Sequence, residues 1–549
     1  MSFRLRIRRL RYHVSSLCTG FVQSLLPCTT RSSTTMGGPS TTTFLQDATH
    51  ILTGEISPVR RASVTVTMSE SLLPCAARSS TTIGGPSQAS LGASPCDHRQ
   101  DRVTINTLPD DVLVEIFHSY VIVDSSYWDW DNRMNEWHTL VHVCHRWRSI
   151  VFASPRYLNL RIEYRGKRPL SEMLDVWPAF PVAIRRRFNL NPWRNFVGAL
   201  ESEHRHRICQ IHLPDIPISD WEIFAATMQK PFPELTSVSI STDETKSTMM
   251  SFPDSFLGGS TQLLRELRMG RCSFPGIPKL LLSSKQLVVL SLWEIPDSGY
   301  FSPQDLGTAL SVLSKLESLY LTFRSPLYPA SRPRPPLTRS VLPALILLDF
   351  KGVHEYLEDL VAHIEVPFLN SLQIRFFIVP DIFFPQLHRL ISHAKSFETC
   401  DRATVRTVPF NNAIRFSMCL RTYLLLEIRC GEHLASLAQV CSSTFPFLSN
   451  MIQLEIVDDD PPSHWTDDVD TTRWLELLDP FIAVKDLRLS RQVAPHVCRA
   501  LTKERPTDVL PALQIISLKG VKPLGSVPKY IERLVAARKL SGHPVAVHC

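Results

Sequence analysis

From residue 208 onward one pattern keeps returning: an apolar residue, two others, a second apolar residue, one other, then a third. It reads Ile208/Ile211/Leu213, Leu235/Val238/Ile240, Leu264/Leu267/Met269, Leu287/Leu290/Leu292 and Leu316/Leu319/Leu321. It continues as Leu345/Leu348/Phe350, Leu369/Leu372/Ile374 and Tyr423/Leu426/Ile428. The last copies are Met451/Leu454/Ile456, Val484/Leu487/Leu489 and Leu513/Ile516/Leu518. First members are separated by 27, 29, 23, 29, 29, 24, 54, 28, 33 and 29 residues, and the 54 reads as two steps of 27 with a degenerate copy near Phe397. A unit of this size has an apolar edge that only another copy can cover, so such units must stack. Unrelated amphipathic strands would not recur at so constant a spacing.

The best copy begins at Leu264 and ends at Phe274, fitting L-x-x-L-x-L-x-x-C-x-L in full. That is the consensus and period of a leucine-rich repeat. The expected fold over 208–525 is therefore an α/β solenoid whose parallel strands line a concave face. The variable positions between the leucines would project from it: Arg265, Glu266, Arg268, Glu317, Asp349, Gln373, Glu455, Arg488 and Lys519. Both charge signs occur without a catalytic grouping, which suits recognition of another protein. Arg265, Arg268, Glu317, Asp349, Gln373, Glu455 and Arg488 are the expected target-binding residues. A proline-rich stretch at 326–337 reads as an inserted loop, and the Asp-Asp-Asp-Pro-Pro run at 458–462 as a solvated turn.

A different pattern occupies 104–165. Thr107-Leu-Pro-Asp110 reads as a capping box, with Asp110 and Asp111 suited to the positive end of a helix. Val112, Leu113, Ile116, Phe117 and Tyr120 then form one broad apolar stripe. After a polar insert at 124–132, a second helix is expected from Glu136 to Val151, with Leu140, Cys144, Trp147 and Val151 on a narrow seam. Pro155 stops it, and the alternation at 157–162 reads as a strand. A helical unit of about 45 residues lies near the lower limit for a core of its own, so part of its apolar surface should dock on something else.

Leu108-Pro-Asp-Asp-Val-Leu-Val-Glu-Ile-Phe117 followed by Leu140-Val-His-Val-Cys-His-Arg-Trp-Arg-Ser149 resembles an F-box. The continuation Ser154-Pro-Arg-Tyr-Leu-Asn-Leu160 is similar to the large fungal branch of that family. The insert between the blocks lengthens the usual link. The resemblance implies a Skp-type adaptor as partner and, through it, the cullin and RING subunits of an SCF ubiquitin ligase. Carried over by position, Leu108, Pro109, Ile116, Leu140, Val143, Cys144 and Trp147 would touch the adaptor. Val112, Leu113 and Phe117 are expected in the core. Cys144 is expected to fill the seam as a small apolar residue rather than to act as a nucleophile.

Charge excludes some other classes. Residues 1–100 hold 10 Arg and no Lys against 4 acidic residues, so they carry +6 of the net +7. The remainder is nearly neutral, unlike the concentrated basic face of a nucleic-acid binder. The first hundred residues also contain a duplication: the segment from Ser24 to Ser40 recurs from Ser71 to Ser87, rich in Ser, Thr, Gly and Pro. With little apolar surface to offset chain entropy, this region is expected to be disordered. Five arginines in residues 1–11 resemble a transit peptide without forming a clean helical stripe. The 13 cysteines include no CxxC pair, and an odd count fits free thiols in a reducing, cytoplasmic or nuclear setting.

No metal-ligand, P-loop, GxSxG or dinucleotide motif is present, no cofactor is implied, and no apolar run is long enough for a membrane span. The expected chain is an α+β multidomain protein. Its parts are a disordered region at 1–100, a small all-α F-box at 104–165, a linker or first repeat at 166–207, the solenoid at 208–525 and a tail at 526–549. Its expected role is that of a non-catalytic substrate receptor. The alternatives are a repeat scaffold outside any SCF complex and an organelle-imported or cryptic enzyme.

Overall fold

A computed structural model of the chain describes most of residues 107–548; the breaks include 123–135, 187–191, 244–249, 327–338, 378–383, 409–412, 420–422, 430–432, 459–470 and 520–527. The expectations for residues 1–100, the insert at 124–132 and nearly all of the proline-rich stretch lie outside the described residues. The chain divides into two compact units, Met1–Trp128 and Asp129–Cys549.

In the first unit, helix α1 spans Asp110–Ile122 with Asp110 and Asp111 in its first turn. The Leu113 amide closes that turn on the Pro109 carbonyl at 3.1 Å, so Thr107 lies ahead of the cap position rather than on it. Leu113 and Phe117 are fully buried, whereas Val112, expected in the core, is 39% exposed.

The second unit opens with α2 (Glu136–Val143) and α3 (His145–Ala153). These replace the single helix expected over 136–151. Cys144 breaks it: its backbone is extended (φ −157°, ψ 170°), and its Sγ accepts the Trp147 amide at 3.5 Å as the N-cap of α3. The Arg148 Nε donates to the Val141 carbonyl at 2.9 Å, tying the two helices together. The residues expected to form a strand at 157–162 are mostly turns, and the strand itself starts at Ile162.

Sixteen described strands then form one sheet. In chain order the first are β1 (Ile162–Tyr164), β2 (Val182–Arg185), β3 (Ile208–Ile216), β4 (Ser237–Thr242), β5 (Glu266–Gly270), β6 (Val289–Ile295) and β7 (Ser318–Phe323). After the short β8 (Ser340–Val341) come β9 (Leu347–Gly352), the short β10 (Ile364–Glu365) and β11 (Ser371–Phe376). The rest are β12 (Arg402–Val408), β13 (Ala413–Cys419), β14 (Tyr423–Arg429), β15 (Gln453–Val457), β16 (Asp486–Ser490), β17 (Ile515–Lys519) and β18 (Ala546–His548). β8 and β10 pair separately as a small parallel sheet.

The main sheet runs β1 to β7 in order, then β9, β11, β14, β13, β12, β15, β16, β17 and β18. The motif leucines lie in register. Ile211, Val238, Leu267, Leu290, Leu319, Leu348, Leu372 and Leu424 form one cross-strand ladder, each at most 1% exposed. At about 1.5–3 kcal/mol for each fully buried large apolar side chain, such ladders are the main favourable term holding the stack. Between most strands runs a short helix whose inner residues complete the same core, such as Leu306 and Leu310 or Leu357 and Leu360.

Three features depart from the expected array. The sheet already includes β1 and β2, so the solenoid begins inside the stretch assigned to the box and the linker. It also includes β18, reached through a helix at Lys529–Leu540, so the tail is the last repeat. Most unlike the expectation, the 54-residue gap is not two equal repeats. β12, β13 and β14 form an antiparallel meander, with β14 parallel to β11 and β12 parallel to β15. The pairing places Leu424, not Leu426, beside Leu372. A shift of two residues keeps every side chain on its face, so the apolar pattern could not distinguish the two registers.

Candidate functional site

The seven motif positions fall into two groups. On α1, or just ahead of it, Pro109 is exposed while Leu108 and Ile116 are half-buried. On α2 and α3, Leu140 and Trp147 are buried at 2% and 3% exposure, while Val143 and Cys144 are exposed. Trp147 is therefore a packing residue of this chain and not a free aromatic anchor. Cys144 is likewise not the buried filler expected of it; it is the surface-exposed cap of α3. The remaining described free thiols, Cys209, Cys272, Cys400, Cys441 and Cys498, are buried, and burial pushes Cys272 and Cys498 up to about 12.

Part of the apolar surface that was expected to need a partner is covered within the chain. Trp137, buried at 2%, meets Phe180 edge-on at 5.8 Å and Phe152 at 6.4 Å, and Phe152 lies 5.7 Å from Phe180. Phe180 precedes β2, and its carbonyl accepts two bonds from Arg207, at 3.2 and 2.9 Å. The helix pair thus packs, through this aromatic cluster, against the residues that lead into β2. Trp137 escaped the sequence reading because it lies outside the motif. Its spacing of ten residues from Trp147 carries no helical signal across the Cys144 break.

On the sheet, the predicted target-binding residues separate by depth. Arg268, Asp349, Gln373, Glu455 and Arg488 lie on strands. Arg265 and Glu317 lie one residue ahead of β5 and β7, exposed at the edge where the chain enters the sheet. Several strand charges are already engaged. Arg375 Nη2 donates to both Asp349 carboxylate oxygens, at 2.8 and 2.7 Å. Arg415 pairs with the buried Glu427 at 3.0 Å, and Lys351 with Glu294 at 2.7 Å. Glu455 accepts from Lys519, and Arg488 donates to Asp486 at 3.0 Å. Asp458, expected in a solvated turn, is buried, and its amide donates to Ser490 Oγ at 3.1 Å.

The Asp349–Arg375 pair gives a direct test. Burial raises the Asp349 carboxyl, and Arg375 offsets that only in part. A folded value above the unfolded one means this group favours folding most at low pH and loses that contribution as pH rises through its folded value. Arg375→Ala should therefore cost about 1–2 kcal/mol near neutrality, by leaving a buried carboxylate alone. Adding Asp349→Asn should recover most of that loss and flatten the pH dependence. Hydrogen exchange over β9 and β11 at pH 5 and pH 8 would check this, and an Arg375→Ala loss of protection that Asp349→Asn leaves unchanged would refute the pairing argument.

Among the described residues, no group of three or more His, Cys, Asp or Glu is placed to hold a metal ion. None of the described helices is long and apolar enough to cross a membrane. No family model matches the chain. No curated protein matches it either. Among solved structures it matches the leucine-rich repeat-containing protein LegL7 from Legionella pneumophila, at 12% identity over 70% of this chain and 97% of that one, with a TM-score of 0.24. The repeat architecture of this chain stands on its own strand register.

Proposed function

We propose that this chain is a non-catalytic substrate receptor of an SCF-type ubiquitin ligase. In this reading the F-box-like segment holds a Skp-type adaptor, and the repeat solenoid holds a target protein. The adaptor half is supported by the ordered motif at 108–117 and 140–149. The target half is carried by one observation: a single sheet of sixteen described strands, whose outward positions vary while the inward leucines repeat. Such a surface can change partner without changing its core.

The burial of Leu140 and Trp147 favours a second reading, in which α2 and α3 serve as the cap of a repeat scaffold and no adaptor docks there. A pull-down of the full chain with a Skp-type adaptor separates the two. The first reading expects capture by the intact protein, reduced roughly tenfold or more by Leu108→Ala/Pro109→Ala and by Val143→Asp. Undiminished capture by both variants sinks the docking positions. No capture by the intact chain leaves the scaffold.

A further inference from the structure

We propose that a groove at the strand-entry edge of the sheet binds an acidic peptide segment that also carries apolar side chains. This deepens the reading of the solenoid as a protein-recognition surface and rests on it. The groove encloses about 910 Å³, and its only charged lining residues are Arg265, Lys285 and Lys315. That volume is far more than a single small anion needs and suits a segment of several residues.

The three cations differ from those on the strands. The strand cations Arg375, Arg415, Lys351 and Lys519 each meet a carboxylate of the chain itself. Among the described residues, the side chains of Arg265 and Lys285 make neither a hydrogen bond nor an ion pair. Lys315 reaches only the neutral carbonyl of Gln286. The adjacent carboxylate Glu266 accepts from Ser237 at 3.2 Å, and Glu317, two residues beyond Lys315 on the same repeat, does not line the groove. Three like charges that line one groove and form no ion pair among the described residues give it a positive field, which an anionic ligand neutralises.

The rest of the lining narrows the ligand class. Leu263 is 46% exposed and Val288 half-buried, so the groove offers apolar contact beside its cations. The backbone is already committed: the Arg265 amide donates to the Thr236 carbonyl at 2.8 Å, and the Val288 amide to the Arg265 carbonyl at 2.7 Å. Recognition here works through side chains and not by adding a strand. Three cations in one pocket make no extended basic track, so a peptide fits better than a nucleic acid.

The test uses the full chain and a fluorescein-labelled probe peptide of sequence Glu-Asp-Leu-Glu-Asp-Leu-Glu-Asp, followed by anisotropy. The peptide should bind at low salt and weaken at high salt. Arg265→Glu/Lys285→Glu, both exposed side chains, should raise the dissociation constant roughly tenfold or more, and Leu263→Ser a few-fold. Lys529→Glu, on an exposed helix end, should leave it unchanged. The proposal is overturned by absent binding, by equal binding to the charge-reversed variant with an unaltered circular dichroism spectrum, or by displacement with a single-stranded oligonucleotide or tripolyphosphate as readily as with unlabelled peptide. An intact chain that captures the Skp-type adaptor but ignores the peptide fails this inference alone; one that binds the peptide but not the adaptor fails the ligase reading alone.

Discussion

Trp147→Ala should destabilise the helix pair by about 3–5 kcal/mol, the range for removing a buried aromatic side chain. Trp147 is 3% exposed, and two further residues of the same nine-residue helix, Ile150 and Val151, are buried with it. A helix that short is marginal alone and depends on its packed face. The expected readout is faster hydrogen exchange across His145–Ala153, because local opening measures this loss even where global unfolding of so large a chain is not two-state. Trp147→Phe should keep most of the protection. A loss under about 1 kcal/mol for Trp147→Ala would mean that the indole is no core residue, and would restore it as a docking anchor. The same argument disqualifies Trp147→Ala as a test of adaptor binding, since a collapsed helix loses any partner. Val143, exposed and making no cap, carries no such ambiguity.

Arg538→Ala should loosen the last repeat by about 2–4 kcal/mol, the range for losing two hydrogen bonds to a charged donor. Arg538 is fully buried in the helix at Lys529–Leu540. It donates to the Val509 carbonyl at 2.7 Å and to the Leu510 carbonyl at 3.1 Å. No carboxylate meets it among the described residues, and burial lowers its pKa. Leu510 sits at φ 54°, a left-handed conformation costly for a leucine, and the guanidinium grips its carbonyl. The measurement is hydrogen exchange and limited proteolysis over the final helix and β18, with protection elsewhere unchanged. Arg538→Met fills the volume without making the bonds and should lose less, since replacing a buried charge with an apolar side chain also removes its desolvation cost. Equal protection in Arg538→Ala and the parent would show that the strand pairing of β18 suffices without the arginine.

Much of the solenoid was legible in the leucines. A large apolar side chain recurring every 23 to 33 residues can be buried only by stacking, and the second and third members of most copies do form the observed ladders. The meander at β12–β14 was not legible, although its signal was present. Ile414, Phe416 and Met418 alternate with Arg415 and Ser417 as a strand requires, in a stretch with no L-x-x-L-x-L copy. Alternation marks a half-buried strand but does not state whether its neighbour runs parallel or antiparallel.

The sequence by itself determined the repeating core and the strands that carry an L-x-x-L-x-L copy; the strands outside that pattern, β1, β2, β12, β13 and β18, and the point where the solenoid begins were set by the pairing of neighbouring strands. Tertiary structure alone decided which charges stay available. Whether Asp349 faces solvent or Arg375 depends on two strands lying side by side in one register, and their residue spacing does not encode that. It also decided that Trp137 is interior, because Phe180, far outside the motif, meets its ring edge-on. Periodicity reports what must be buried; only the folded neighbours determine what buries it.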